Sequence, residues 1–405
     1  MSGMSVTVVG LDGSMPTGKA AEALAAARLV VGGRRHLAAV EGLVPAGARR
    51  VELGADPGAA LEVLAGAGPV VVLASGDPGF FGILRLLRER LGTTPIEVLP
   101  AVSSVAAAFA RAGLTWDDAI VVSAHGRDPA PAVNACRRWP KVAVLTEPRF
   151  GPAELGAALA GLDRHLIVAE RLGTPDERVT TTTPEEAAAG RWDDPNVVVV
   201  VEPGHQGGDA PGRAWPARTG ADRWALDSGD FAHRDGMVTK AEVRALALAW
   251  LGPGLGDLVW DVGAGSGSVA VECARLGAAA IALEPDPDQC LRIAANAERH
   301  GVPVQVVTGA APEAFDTLPD PDAVFVGGGG RDLEAIVAAA GARVRRAVVV
   351  ALATVERVGP AEQALAKAGL EVTGTMLSAA RLAPLAGGHR LAAANPVFVL
   401  GGWRP

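Results

Sequence analysis

The chain has no tyrosine, and Phe and Trp bring its aromatic share to only 4%. A binder of single-stranded nucleic acid needs aromatic platforms beside a basic groove. Both are missing, because 37 Lys and Arg stand against 45 Asp and Glu, a formal net charge of −8. Nucleic acid is therefore not an expected partner. Cysteine is scarce as well: Cys136, Cys273 and Cys290 lie far apart and form no C-x-x-C pair. That excludes a disulfide framework and a thiolate zinc site, so no metal is expected. Each thiol sits in an apolar helical stretch and reads as a small buried hydrophobe. No run approaches the ~20 apolar residues that cross a bilayer. The first residues, MSGMSVTVVG, show no charged region followed by an apolar stretch and a cleavage site. The expectation is a soluble, cytoplasmic protein with no membrane partner.

What is present points to α/β structure. The 405 residues suggest two or three domains at roughly 100–200 residues each. With 49% hydrophobic residues, large cores are readily built. Short Val- and Ile-rich runs alternate with Ala/Leu/Arg segments of helical spacing, the sign of parallel sheets covered by helices. Runs such as Val6–Gly10, Val70–Ala74, Ile96–Leu99 and Val197–Glu202 read as strands of a first half. Leu258–Val262, Ala279–Leu283, Ala323–Val326 and Ala347–Ala351 read as strands of a second, which closes with two C-terminal strands. Between the halves, residues 202–234 are rich in Gly, Pro, Asp and Arg and lack any period. The division expected is a domain at 1–205, a linker at 206–232 and a domain at 233–405. In the second domain Thr239 is placed to cap a helix ending at Leu251, with Glu242 completing a capping box.

The most informative motif runs from Trp260 through Asp261 and Val262 to Gly263, Ala264, Gly265, Ser266 and Gly267. It follows a predicted strand and opens a helix. Glycines there let backbone approach a ligand, and the helix N-terminus offers unpaired N–H groups. The third glycine of a G-x-G-x-x-G dinucleotide fingerprint is replaced by Ser268. Glu284 ends the next strand, where it would accept hydrogen bonds from ribose hydroxyls. This pattern resembles the class I S-adenosylmethionine-dependent methyltransferases. The fourth strand runs into Val326 and four glycines that include Gly328 and Gly329. That leaves no side chain for an exocyclic amine but gives room for a large planar or anionic ligand.

GMVTKAEVRALAL, WDVGAGSGSVAVE, GAAPEAF, DAVFVGGGG and HRLAAANPVF follow one another in the second half. In that order they resemble the C15-methylating, decarboxylating domain of cobalamin biosynthesis. The resemblance implies that Thr239, the Gly263–Gly267 loop, Glu284, and Ala310 with Ala311 line the cofactor. Where the family often has Asp, this chain has Ala310, so the implied contact there comes from backbone. In the first half VTVVGLDGS, LASGDPGFFGI, VLPAVSSVAAAFARAGL, VVSAHGR and AERLGTPDERV resemble the class III tetrapyrrole methylases, specifically their C5-methylating member. That implies two α/β subdomains holding a folded cofactor against Gly10, the Gly76–Asp77 turn and the Ser103–Ser104 loop. The family's usual first loop, G-x-G-P-G, is Gly10-Leu11-Asp12-Gly13-Ser14 here.

Together the resemblances imply a bifunctional enzyme. It would use one S-adenosyl-L-methionine per domain to methylate a precorrin at ring positions 5 and 15, with loss of the ring C acetate carboxyl. They also imply a homo-oligomer. Such chemistry needs little acid–base machinery: holding an enamine-like carbon in line with a sulfonium methyl can itself supply roughly 7–11 kcal/mol. No catalytic residue is singled out. Because the substrate class is polyanionic, arginines at each site would matter. The candidates are Arg331, Arg381, His389 and Arg390 in the second domain, and Arg34, Arg35, His36 and His125 in the first. Any one of them also reads as a solvated surface charge. Two other readings stay open: a class I methyltransferase of RNA or protein with an N-terminal recognition module, and a cofactor-sensing scaffold.

Overall fold

A computed structural model describes residues 5–54, 61–64, 68–205, 221, 223–234, 238–328 and 330–405. The chain forms two compact units: residues 1–129 with 140–211, and residues 130–139 with 212–405.

The first unit holds two sheets. One joins β1 (Val6–Leu11), β2 (Leu29–Gly32), β3 (Arg49–Glu52), β4 (Val70–Ser75) and β5 (Ile96–Leu99) in the order β3-β2-β4-β1-β5. All its pairings are parallel. Alternate residues of one strand feed different cores, Val70 and Val72 on one face, Val71 and Leu73 on the other. Burial on both faces is why β4 reads as one unbroken apolar run.

The second sheet joins β6 (Ile120–Ser123), β7 (Lys141–Leu145), β8 (His165–Glu170), β9 (Arg178–Thr182) and β10 (Asn196–Val201), ordered β6-β7-β10-β8-β9. Here the expected parallel arrangement gives way. β10 runs antiparallel to both neighbours and β9 antiparallel to β8. Apolar runs carry no sign of direction; the short connection from β8 to β9 does, since parallel neighbours need a long crossover. Charge pins that edge: Glu170 lies opposite Arg178, which donates to both carboxylate oxygens at 2.7 Å.

The second unit has one seven-stranded sheet, β13-β12-β11-β14-β15-β19-β16. Its members are β11 (Leu258–Val262), β12 (Ala279–Glu284), β13 (Gln305–Thr308), β14 (Ala323–Gly327), β15 (Ala347–Leu352), β16 (Glu371–Leu377) and β19 (Val397–Trp403). The first five are parallel, and β19 is antiparallel to β15 and β16. Strand order reverses between β11 and β14, and in such sheets the crevice at that switch point takes ligands at the carboxyl ends of the strands. The two C-terminal strands expected are four, because a hairpin of β17 (Ala380–Leu385) and β18 (Gly388–Ala393) precedes β19. Both hairpin strands are largely exposed, so no core imposed an apolar pattern to read.

Two expectations change here. Thr239 does not cap its helix, which spans Ala241–Leu251 with Lys240 at the N-cap and no side-chain cap bond. The Thr239 carbonyl accepts from Arg244 instead, and Glu242 is drawn to Arg381. Of the expected linker, residues 206–220 lie outside the described residues, but its end is not free chain. Leu226 and Phe231 are buried in the second unit's core. The Glu272 carboxylate accepts from the N–H groups of Ala225 and Leu226 at 2.9 and 2.8 Å. Arg244, fully buried, donates to Glu272 at 2.8 Å and to the Leu226 carbonyl. Among the described residues no helix is long and apolar enough to cross a membrane.

Candidate active sites

In the second unit a cavity of about 830 Å³ opens over the carboxyl ends of β11, β12, β14 and β15. Pockets of this size accept drug-sized ligands. Of the residues expected from sequence, Thr239, Asp261, Gly263, Ala264, Gly265, Ser266, Glu284, Ala310, Ala311 and Gly328 all line it. The glycine loop has left-handed backbone at Gly263, Gly265 and Gly267. At Gly265 nothing stands within 4 Å of where a side chain would begin, so the loop leaves that space to the cavity. Gly267 plays another part. It is off the cavity wall, and a Cβ there would meet Ile293 Cγ2 at 2.7 Å. Its bareness lets the helix Ser268–Arg275 pack.

Glu284 anchors the loop from the neighbouring strand: Oε2 accepts from Gly265 N at 2.8 Å and Oε1 from Asp286 N at 3.2 Å. It is nearly buried, so its remaining acceptor capacity faces the cavity. Asp261 is fully buried, and its Oδ2 accepts from Ala270 N at 2.9 Å, tying strand end to helix start. Burial pushes its carboxyl up to about 7, the Ala270 hydrogen bond opposing this and Glu284 adding to it. A carboxyl raised in the fold holds a proton that the unfolded chain has lost. Its contribution is whole below the ordinary value of 3.8 and is lost as pH climbs to about 7. Asp261→Asn should therefore flatten the fall in thermal stability between pH 5 and pH 8. An unchanged difference between the two melting temperatures would contradict this.

The basic candidates separate. Arg381 gives both ends of its guanidinium to Glu242 at 3.0 and 3.1 Å and is off the cavity wall, as are His389 and Arg390 on the exposed hairpin. Arg331 is off it too, although its neighbours Gly330 and Asp332 line it. Gly329 lies outside the described residues. The cavity's cations are others: Arg234, Lys240 and Arg357, with Thr354 beside the last. Arg234 pairs with Asp286 at 3.0 Å, and Lys240 donates to the Asn395 carbonyl at 3.2 Å. A signal for Arg357 existed, since it follows the end of a parallel strand where ligands sit.

In the first unit, loops after β1, β4 and β5 converge. Gly76 N donates to Leu11 O at 2.7 Å, and Ala101 N donates to Gly76 O at 3.2 Å. A Cβ on Gly10 would stand 2.0 Å from Gly76 O, and one on Gly76 2.8 Å from Ser103 Cα. Gly10, Gly76 and Ser103 thus meet backbone to backbone. Ser103 caps the helix Ser104–Ala112, accepting from Ala106 N at 3.1 Å, and Asp77 Oδ1 accepts from Gly79 N at 2.8 Å. A cavity of about 500 Å³ beside them is lined by Gly10, Asp12, Ser14, Leu99, Ala101 and Val102, among others. Gly76, Asp77, Ser103 and Ser104 shape this region without lining that cavity. The unusual first loop is braced: Asp12 Oδ1 accepts from Ser14 Oγ at 2.6 Å and holds the Asp12 carboxyl below its usual range.

Of the first unit's basic cluster, Arg34 turns away to Glu52 at 3.2 Å, a mutual attraction at the surface. Arg35 donates to Ser75 Oγ at 2.7 Å, and His36 lies 3.1 Å from the same oxygen, immediately before the Gly76 turn. Burial, then the Arg35 charge, depress His36 to about 4, so its ring is neutral near pH 7. His125 is placed in the turn after β6 of the other sheet, Nδ1 3.2 Å from the Thr146 carbonyl.

Comparison with known proteins decides the family. A profile for the Precorrin methyltransferase domain matches residues 230–402, and one for Tetrapyrrole (Corrin/Porphyrin) Methylases matches residues 12–188. A precorrin-6Y C(5,15)-methyltransferase [decarboxylating] of Sinorhizobium sp is 39% identical over 337 residues, 81% of this chain and 79% of that one. The chain belongs to the precorrin-6Y C5,15-methyltransferase (decarboxylating) family. Shorter relatives also match. A probable cobalt-precorrin-6B C(15)-methyltransferase (decarboxylating) of Pyrobaculum calidifontis is 38% identical, over 42% of this chain and 91% of its own. A cobalt-precorrin-7 C(5)-methyltransferase of Salmonella typhimurium is 36% identical, over 43% of this chain and 88% of its own. Methyltransferases of this family use S-adenosylmethionine. The donor set of the second unit suits it: a carboxylate at a strand end, bare glycine backbone and a helix start.

Proposed function

We propose that this chain methylates precorrin-6Y at ring positions 5 and 15 and removes the ring C acetate carboxyl, each unit holding its own S-adenosyl-L-methionine. The observation that carries the reading is that each unit has its own cavity at the carboxyl ends of parallel strands, one floored by Gly263–Ser266 and Glu284, the other by Gly10 and the β5 loop. S-adenosylmethionine, when bound, supplies an electrophilic methyl group. The protein's residues position and exclude water: Glu284 and the glycine loop would hold the donor in the second unit, and Phe325, Ile336, Leu352 and Val397 give the same cavity an apolar wall. A conjugated ring accepts the electron pair freed by decarboxylation, so the protein's task is to strip water from the departing carboxylate. We place the working boundaries at 1–205 and 233–405, in the cytoplasm, with several copies assembling.

Calorimetry of the full chain with S-adenosylmethionine should resolve two sites per polypeptide. Mass spectrometry of the product from precorrin-6Y should show two added methyl groups and one lost carbon dioxide. A single site, or a product with only one of the changes, would overturn the bifunctional reading.

A further inference from the structure

The second unit's cavity is polarised. At its β11–β12 end Glu284 presents a carboxylate, which suits a cationic donor, while Asp286 beside it is paired with Arg234. At the other end, past β14, the wall after β15 carries Thr354 and Arg357, with Asp332 the acid among the lining residues there and Glu356 beside Arg357 in the chain. β11, β14 and β15 are successive neighbours, so at about 4.8 Å per strand the two ends stand roughly 10 Å apart. That separation fits a ring lying beside the donor with its side chains reaching the β15 end. The three cavity cations are not equivalent. Arg234 is paired with Asp286 and Lys240 bonds the Asn395 carbonyl. Among the described residues the Arg357 side chain has no hydrogen bond or ion pair; it is exposed, on the turn Val355–Arg357.

Resting on the function proposed above, we infer that Arg357 anchors a carboxylate that the macrocycle keeps, while the carboxylate that leaves lies against the apolar wall of Ile336, Leu352 and Val397. The chemistry separates the two. In decarboxylation the bond to the carboxylate carbon breaks, its electron pair enters the conjugated ring and carbon dioxide departs. The side-chain carbon takes up one proton, matched by the proton that the ring carbon gives up on methylation. Negative charge leaves the carboxylate as the bond breaks. A guanidinium on that group would stabilise the charged ground state and slow the step, by roughly 10- to 100-fold for a charged hydrogen bond. On a retained carboxylate the same contact is equal in ground and transition states and lowers KM alone.

The test uses the full chain and its Arg357→Gln and Arg357→Lys variants. Precorrin-6Y affinity is followed by absorbance without cofactor, KM and kcat by release of label from the ring C acetate carboxyl, and S-adenosylmethionine affinity by calorimetry. Expected for Arg357→Gln are a precorrin Kd and KM raised roughly 10- to 100-fold, kcat for carbon dioxide release within about threefold, and unchanged cofactor affinity. Arg357→Lys should recover part of the loss, a point charge lacking the fork. Unchanged precorrin affinity would overturn the inference. So would a higher kcat for release, which would put Arg357 on the departing group, or weakened cofactor binding, which would put it on the donor. If the unaltered chain itself neither binds nor converts precorrin-6Y, the functional reading fails rather than this assignment alone.

Discussion

Gly10→Ala is expected to eliminate methylation at position 5 and to lower the melting temperature of the first unit, while label release from the ring C acetate continues. The added carbon would stand 2.0 Å from Gly76 O and 2.6 Å from Ala101 N. Both are backbone atoms, tied to each other by the bond from Ala101 N to Gly76 O. They cannot step aside as a flexible side chain would. Overpacking of this kind costs about 3 kcal/mol, roughly 6–12 °C for a unit of this size. The same displacement would spread the three loops that shape the 500 Å³ cavity. Gly265→Ala is the instructive contrast: open space surrounds its Cβ, so only the left-handed backbone at φ +55° resists. That penalty is about 1 kcal/mol. A Gly10→Ala protein with full position 5 methylation and an unshifted melting curve would refute the convergence as the basis of that site.

Glu284→Ala should remove one of the two calorimetric sites and carry position 15 methylation and decarboxylation down together, leaving position 5 methylation intact. The carboxylate takes main-chain N–H groups from both Gly265 and Asp286, and it faces the cavity. Two further charge-assisted hydrogen bonds, from the ribose hydroxyls of the donor to this carboxylate, at about 1.5 kcal/mol each would correspond to roughly 100-fold in affinity. Glu284→Gln keeps one acceptor oxygen and should lie between. Retention of two sites of unaltered affinity would remove Glu284 from the cofactor wall.

The glycine-loop side of the second unit's cavity was legible in the chain because it is local. A strand, a run of glycines, a helix start and the acid ending the next strand are contiguous or nearly so. Six residues of that pattern, Asp261, Gly263, Ala264, Gly265, Ser266 and Glu284, line one cavity. The cations of the cavity were not legible in the same way. Arg381 looked available until Glu242, 139 residues earlier, was found holding it at 3.0 Å. Arg34 was likewise claimed by Glu52, while Arg357 reached the cavity from a turn with no motif of its own. Whether a charge is free or spent depends on partners that are distant in the chain.

By itself the order of residues determined that this is an α/β chain with two unlike halves and where each half bends backbone around a cavity. Those features follow from apolar period and from glycine's freedom, which act within a few residues. Strand direction in the second sheet, the burial of Leu226 and Phe231 at the end of the expected linker, and which cations line the second unit's cavity came only with the tertiary structure. Apolar runs are the same read in either direction. An ion pair needs its partner brought within about 4 Å, and only the folded chain supplies that distance.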